Sequence, residues 1–223
     1  MEFKSGFGSK GALKATANAI ALVAGFLPAL TCWIESRVSG REELFRLWGQ
    51  FFSLFPGLLG SYLRAGFYRW TLRSCSRDCK IEFLAFFSNS SASVSPGVYI
   101  GAGTIIGMAS LGEGCLIGSR VSILSGNAQH AFGPDGRLGD GVLSHIHVGE
   151  HTWIGEGAIL MADVGARCIV AAGAVVARPI PDGSVFGGNP SRFIGKTNVS
   201  SSEVERTEEV SAKPKSGVSS ENE

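Results

Sequence analysis

Cysteine is scarce and odd in number in this sequence, with five residues in a chain of 223. An odd count argues against a framework of disulfide bonds. Strong charge of either sign is also lacking, because 20 basic and 19 acidic residues give a net charge of +1. This balance excludes the basic footprint of a nucleic-acid-binding domain. Glycine is abundant, at 31 residues, yet it follows no period of three, so a collagen-like helix is excluded.

The dominant pattern is an apolar residue that returns about every six positions between Val94 and Ile194. A hexapeptide period is typical of a parallel β-helix, in which three hexads make one triangular coil and the apolar residues point inward. The fifth position of each hexad is small or β-branched, and Cys115 and Cys168 fall there, so both are predicted to be buried packing residues. The leading positions are Val94, Ile100, Ile106, Leu111, Ile117, Ile123, Val148, Ile154, Leu160, Val164 and Val170.

The N-terminal part is apolar and lacks the repeat. Within residues 1–40, the uncharged run at 15–34 is about as long as a bilayer is thick, so it predicts a helix in or on a membrane, or one packed on its own protein. Residues 41–79 are predicted to form two amphipathic aromatic helices, over 41–55 and from 61 to about 72. These helices are expected to cap the open end of the coil, to form a surface for the lipid headgroup region, or to do both.

Residues 80–196 are predicted to form the β-helix domain. A loop at 127–146 breaks the hexads and is rich in turn-forming residues, and functional residues often lie on such loops. The tail at 197–223 is polar, lacks aromatic residues and is predicted to be disordered. The predicted fold class is therefore mainly β: a parallel β-helix with N-terminal α-helices and a disordered C-terminal tail.

The hexads and the closing sequence GAVVARPIPDGSVFGGNPSRFI resemble the hexapeptide-repeat acyltransferases. The stretch FPGLLGSYLRAGFYRW resembles bacterial O-acetyltransferases of the polysaccharide or colanic-acid type. The resemblance implies a left-handed coil, a homotrimer with active sites between subunits, and acetyl-CoA as the acyl donor, with no metal. It implies an acceptor hydroxyl on a sugar or a lipid-linked precursor of a surface polysaccharide. Such an enzyme is expected at the cytoplasmic face of the inner membrane or in the cytoplasm.

All four histidines lie between positions 130 and 151, and histidine suits proton abstraction from a hydroxyl near neutral pH. By resemblance to galactoside and maltose acetyltransferases, His130 accepts the proton of the acceptor while the acceptor oxygen attacks the thioester. The same family resemblance places five residues along coenzyme A: Trp153, Ala172, Ala177, Arg178 and Arg192. Asn127 stands where the sugar acetyltransferases carry a further histidine, so their acceptor contacts do not transfer directly.

Three other functions remain open. The clustered His145, His147 and His151 resemble the zinc ligands of γ-class carbonic anhydrases, which would make the chain a zinc hydratase. Their spacing of two and then four differs from that family's pattern, so surface positions are the preferred interpretation. A serine-type small-molecule acetyltransferase would keep the fold and donor but change the acceptor. A non-catalytic scaffold would present the loop without binding coenzyme A.

Overall fold

A parallel β-helix of about five turns forms the centre of the computed structural model. The structure describes residues 6–126, 130–132, 136–140 and 142–197, so the predicted tail from position 198 onward lies outside the described residues. Three helices precede the coil: α1 (Gly6–Ser39), α2 (Glu43–Ser53) and α3 (Gly57–Thr71). The predicted fold class, a left-handed parallel β-helix with N-terminal α-helices, is confirmed.

Short strands stack in three sheets, which form the three faces of the prism. Face A carries β1 (Ser74–Cys75), β4 (Ser93–Val94), β7 (Ala109–Leu111) and β12 (Ile146–Val148). Face B carries β2 (Lys80–Ile81), β5 (Tyr99–Ile100), β8 (Leu116–Ile117), β13 (Trp153–Ile154), β15 (Ile169–Val170) and β17 (Ser184–Gly187), and the antiparallel β18 (Arg192–Lys196) closes it. Face C carries β3 (Phe86–Phe87), β6 (Ile105–Ile106), β9 (Ser122–Ile123), β14 (Ile159–Leu160) and β16 (Val175–Val176). A separate antiparallel hairpin pairs β10 (His130–Phe132) with β11 (Leu138–Asp140).

The leading hexad residues fill the prism. Every leading position predicted from the sequence, from Val94 to Val170, is at most 2% exposed. The glycine that follows is needed because successive coils touch there: a Cβ on Gly101 would lie 2.5 Å from the carbonyl carbon of Gly118. The clipped hexad at 160–163 shortens one turn, so Val164 contributes a single bridge to Val148 and Ile180 rather than a strand.

The first coil begins earlier than the sequence indicated. Strand β1 pairs in parallel with β4, and this places Cys75 one coil below Val94, ahead of position 80, where the sequence placed the first strands. The pattern continues through Ile81 and Phe87, both fully buried. The hexad was hidden because only one glycine lies between residues 61 and 96, so the usual sign of a corner is missing.

The fifth hexad position offers its side chain a hydrogen-bond partner. Thr104 donates to the carbonyl of Gly118 at 2.9 Å and Thr152 to that of Gly165 at 2.7 Å. The thiol of Cys115 likewise donates to the carbonyl of Gly149, at 3.0 Å. These contacts explain why the interior of the coil accepts hydroxyl groups at this position.

Replacing Cys115 with serine is therefore expected to cost no more than about 1 kcal/mol of unfolding free energy, because the hydroxyl inherits the carbonyl partner. An unpartnered buried hydroxyl would cost roughly 1–3 kcal/mol. Urea denaturation of the wild type and of the Cys115→Ser variant measures the difference. A loss above that range would mean that the serine does not reach the Gly149 carbonyl.

The three helices cover the first coil, and α1 has two different faces. Its protein-facing side carries small residues, and the contact is close: a Cβ on Gly25 would lie 2.8 Å from the Cα of Phe67, and one on Gly66 would lie 2.4 Å from the carbonyl oxygen of Ala21. Further hydrogen bonds run from the Trp70 indole to the Leu22 carbonyl, 2.9 Å, and from the Trp48 indole to Thr31, 3.0 Å. The opposite side of α1 exposes a stripe of large apolar residues: Ile20, Val23, Phe26, Leu27, Leu30, Trp33, Ile34 and Val38.

The helix α3 is longer than the sequence indicated, because it begins at Gly57 and includes Gly60. Glycine at position 60 is required by a close approach: a Cβ there would lie 1.8 Å from the carbonyl oxygen of Phe55. The predicted break is therefore limited to the turn before Gly57, whose φ is +66°. The same close approach brings Arg64 under the end of α2.

Arg64 is fully buried where α2, α3 and the first coil meet. Its Nη1 donates to the carbonyl oxygens of Phe55, 2.7 Å, Phe52, 3.2 Å, and Ser53, 3.3 Å, and its Nε donates to that of Ile81, 3.0 Å. The C-terminal carbonyls of a helix lack partners within the helix and favour a positive charge. Arg64 therefore satisfies the end of α2 and ties it to the coil, and burial lowers the pKa of its guanidinium.

Candidate functional site

The extruded segment leaves and rejoins the coil at the edge between faces C and A. It follows β9, and its return is marked by a hydrogen bond from the Ser144 amide to the Ser125 carbonyl, 2.9 Å. The Ile146 amide then bonds to the Met108 carbonyl, 2.9 Å, and restores the coil at β12. Strands β10 and β11 make the segment a hairpin, a feature that the turn-rich sequence did not predict.

Two serines and a histidine form a hydrogen-bonded chain beside this return point. Ser93 and Ser110 face outward one above the other on face A. The Ser93 hydroxyl donates to the Ser110 oxygen at 2.7 Å, and Ser110 Oγ lies 2.8 Å from His145 Nε2. Since Ser110 accepts from Ser93, its own hydrogen is available for His145 Nε2, which leaves the Nδ1 of a neutral His145 ring as the donor.

The surroundings of His145 favour the neutral imidazole. Partial burial is the main cause that lowers the pKa of His145 below its ordinary value of 6.5, and the neighbouring His147 and Arg73 lower it further, against an opposing effect of Asp163. The rings of His145 and His147 lie 4.9 Å apart between centroids. The sequence interpretation of His145 as a plain surface residue therefore misses an ordered contact with Ser110.

The hexad register of the sequence already indicates part of the cluster formed by Ser93, Ser110 and His145. Ser93 and Ser110 each precede a leading apolar residue, so both were bound to point outward from the same face, one coil apart. His147 continues this outward column, and Asp163 accepts a hydrogen bond from its backbone amide at 2.8 Å. What the sequence could not indicate is that His145, two residues earlier, lies within hydrogen-bonding distance of Ser110.

The remaining histidines occupy different places. His151 is exposed and lies at a corner with a positive φ of 53°, and His147 is exposed on face A. Among the residues that the structure describes, no three histidine, cysteine or acidic side chains form a group able to hold a metal ion. The zinc hydratase interpretation therefore has no ligand set in the described part of the chain.

His130, the predicted base, opens the hairpin. Its backbone pairs with that of Asp140 across β10 and β11, while its side chain lies outside what the structure describes. His130 and His145 thus mark the two sides of one extruded segment. The role of His130 stays a prediction.

The five residues predicted along coenzyme A lie at more than one edge of the prism. Ala177 and Arg178 follow β16 at the edge between faces C and A, two coils from the point where the extruded segment leaves β9. Trp153 points outward from face B, and Ala172 is exposed at the next corner, after β15. Arg192 is exposed on β18 beside face B. One chain therefore brings Ala177 and Arg178 to the edge of His145, and places the other three elsewhere.

Comparison with known proteins gives relatives by sequence. No protein-family model matches the chain. Serine acetyltransferase 4 of Arabidopsis thaliana is 30% identical over 146 residues, which are 61% of this chain and 40% of that protein. Serine acetyltransferase 2 of the same plant is 34% identical over 112 residues, 45% of this chain and 31% of that protein. The chain thus spans less than half the length of these curated relatives.

Solved structures share the fold. Galactoside acetyltransferase in complex with coenzyme A superposes with a TM-score of 0.59 at 21% identity, covering 69% of this chain and 80% of that one. A serine-to-cysteine mutant of AntD, an N-acyltransferase from Bacillus cereus, in complex with dTDP-4-amino-4,6-dideoxyglucose and coenzyme A, gives 0.51 at 19% identity, covering 60% and 77%. By sequence and fold the chain is similar to hexapeptide-repeat acetyltransferases, and the resemblance to that family is confirmed. The matches do not single out the polysaccharide branch.

Proposed function

We propose that this chain is an acyl-CoA-dependent O-acyltransferase that transfers an acetyl group to a hydroxyl of a sugar or a surface-polysaccharide precursor. The observation that carries the proposal is the Ser93–Ser110–His145 chain at the root of the extruded hairpin. It places a neutral, oriented imidazole with a donor nitrogen beside the segment that contains His130. Two histidines at one edge allow one to take a proton and the other to hold the acceptor oxygen.

In the proposed mechanism, His130 accepts the proton of the acceptor hydroxyl as that oxygen attacks the thioester carbonyl. His145 donates through Nδ1 to an oxygen of the acceptor, and Ser110 keeps the ring in that orientation. No protein nucleophile is needed, since the acceptor itself attacks. Coenzyme A supplies the activated acyl group when it is bound, and Arg178, exposed at the same edge, is suited to pair with a phosphate.

A homotrimer would complete the coenzyme site. Trp153, Ala172 and Arg192 lie away from the His145 edge of their own chain, so they join that site only across a subunit interface. The outward side chains of faces B and C support such contacts, because Leu116, Trp153, Ile105 and Ile159 expose apolar surface there. Burial of these large apolar side chains between subunits would be favourable.

The test is an acyl-transfer assay with the full chain and acetyl-CoA, in which free thiol release reports turnover. Neutral sugars, amino sugars and L-serine are compared as acceptors, and the product is treated with hydroxylamine, which cleaves esters but not amides. The expected result is a hydroxylamine-sensitive acetyl sugar. An amide product on an amino sugar would replace O-acylation with N-acylation, and absence of both coenzyme binding and turnover would favour a scaffold.

A serine acetyltransferase is the second candidate, and the identity to the two Arabidopsis serine acetyltransferases favours it. The donor and the proton transfer would be the same, and the acceptor would be the hydroxyl of L-serine. Turnover with L-serine above that with every sugar in the same assay would select this function.

We further propose that the enzyme associates with a membrane and that α1 lies in the membrane surface rather than crossing it. By length and composition only, the segment Ala15–Ser39 could span a bilayer. However, its inner face is packed on α3, and α3 is tied to the first coil by Arg64 and by the Tyr68 hydroxyl, which accepts from the Phe87 amide at 3.0 Å. A spanning orientation would draw the backbone of this coil into hydrocarbon, where its exposed polar groups lack partners.

Two charges in the exposed stripe of α1 are expected to abolish membrane binding. The double variant Val23→Glu, Leu27→Glu places carboxylates where both side chains are about 70% exposed (75% and 69%), so folding is expected to persist while insertion into the headgroup region is lost. Flotation with anionic phospholipid vesicles measures the bound fraction. Ile194→Glu, at a 65% exposed residue on β18 at the other end of the coil, is the matched control. Equal vesicle binding by the wild type and the double variant would contradict the proposal that α1 binds the membrane surface.

A further inference from the structure

The first hexad of the first coil carries a cysteine at both of its inward positions, one and five. Register with β4 and β5 places Cys75 below Val94, and Cys79 below Val98. In the other described coils these two positions hold at most one cysteine, as at Leu111 and Cys115. The two sulfur atoms of Cys75 and Cys79 lie 3.7 Å apart, because positions one and five of a hexad converge inside the same corner.

This pair is more accessible than the other thiols. Cys79 lines a cavity of about 400 Å³ between the helices and the coil, together with Tyr62, Arg77, Lys80 and Tyr99. Cys32, Cys115 and Cys168 are buried. The helices cover this end of the β-helix, and the cavity that Cys79 lines lies between them and the first turn.

The two thiols are also chemically different from each other. The hydrogen bond with Cys75 is the main cause that lowers the pKa of Cys79, against the opposing effects of burial and of Asp78, and Arg69 adds a smaller lowering effect. The same hydrogen bond, together with burial, raises the pKa of Cys75. Burial raises the pKa of Cys115 and Cys168, and that of Cys32 to about 11. Because Cys79 lines the cavity and Cys75 does not, Cys79 would be the attacking thiol and Cys75 the resolving thiol.

We propose that Cys75 and Cys79 are a modification site at which a hydroperoxide produces an intramolecular disulfide. The Cys79 thiolate attacks the peroxide oxygen, which gives a sulfenic acid and releases the alcohol, or water in the case of hydrogen peroxide. The Cys75 sulfur then attacks the Cys79 sulfur and expels hydroxide, which leaves as water with the Cys75 proton. In sum, two thiols and one hydroperoxide give one disulfide, one alcohol and one water, in agreement with ordinary thiol chemistry.

The experiment treats the folded, full-length protein with stoichiometric hydrogen peroxide, blocks the remaining thiols and measures intact mass and peptide maps. The wild type is expected to form a Cys75–Cys79 link, which makes the protein about 2 Da lighter before the thiols are blocked and which dithiothreitol reverses. Cys79→Ser is expected to slow oxidation at least about tenfold, because the low-pKa thiol is gone. Cys75→Ser is expected to retain a sulfenic acid at Cys79 that dimedone traps, with no disulfide.

Cys115→Ser is the matched control, since it removes a cysteine from the interior of another turn of the β-helix and is expected to leave the reaction unchanged. First oxidation at Cys32, Cys115 or Cys168 would overturn the proposal. So would a wild-type protein that gains oxygen without forming the 75–79 link, or a Cys79→Ser variant that is oxidised at the wild-type rate.

Discussion

Replacing His130 with alanine is expected to lower kcat by about two to four orders of magnitude, the usual contribution of a general base. In the proposed mechanism the imidazole takes the proton of the acceptor only in the transition state, so the affinity for coenzyme A is expected to stay near that of the wild type. Steady-state kinetics with acetyl-CoA and the best acceptor, together with a coenzyme-binding measurement, check both parts.

His145→Ala provides the comparison that assigns roles. If His145 holds the acceptor through Nδ1, its loss is expected to raise the KM for the acceptor by about tenfold, the effect of one hydrogen bond of about 1.4 kcal/mol, with a smaller effect on kcat. His151→Ala, at an exposed corner, is the control and is expected to behave as the wild type. A larger fall in kcat for His145→Ala than for His130→Ala would exchange the two roles.

The largest effect on stability is expected at Arg64. Its replacement with alanine removes the Arg64 donor from the carbonyl groups of Phe55 and Ile81. The carbonyl groups of Phe52 and Ser53 also lose this donor and keep only bonds from backbone amides, those of Phe55 and Leu84 among them. Because several charge-assisted hydrogen bonds disappear while their acceptors stay buried, the expected loss of unfolding free energy is on the order of 3–5 kcal/mol. Urea denaturation followed by tryptophan fluorescence measures it.

One further variant separates hydrogen bonding from packing at position 64, and a second serves as a surface control. Arg64→Met restores most of the volume but no donor, and it is expected to lose nearly as much stability as alanine. Arg120→Ala removes an exposed arginine whose ion pair with Glu156 spans 3.7 Å, and exposed pairs contribute about 1 kcal/mol or less. A methionine variant as stable as the wild type would show that the carbonyls find water or other partners.

The hexads predicted the β-helix because a period of six residues brings every leading residue to the inside of the prism. They also carried the outward column of Ser93 and Ser110, which follows from the same register. The first coil escaped prediction since aromatic residues and serines replace the corner glycines there, although Cys75, Ile81 and Phe87 keep the inward positions.

Contacts between distant parts of the chain lay beyond the sequence pattern. Arg64 lies in an aromatic helix, where the sequence suggests a charge at a membrane interface. Only the approach of α2 makes Arg64 a buried hydrogen-bond donor to carbonyl groups. His145 and Ser110 are 35 residues apart, and their contact depends on where the extruded segment returns. The uncharged run at 15–34 predicted a helix, while its small-residue face became a helix-packing surface only through Gly66 of α3.

The stacking of the coils on the helical cap also sets a distance. With the stripe of α1 placed at a lipid surface, the two helix layers formed by α1 and α3 contribute about 20 Å of thickness, and Ser110 lies two turns of the β-helix above β1, about 10 Å further. The reacting edge would then stand on the order of 30 Å above the headgroups. A hydroxyl close to a lipid anchor lies below that level, and one several sugar units along an extended chain lies within it. Under the proposed membrane association, the height of the β-helix would select which position along a tethered acceptor is acetylated.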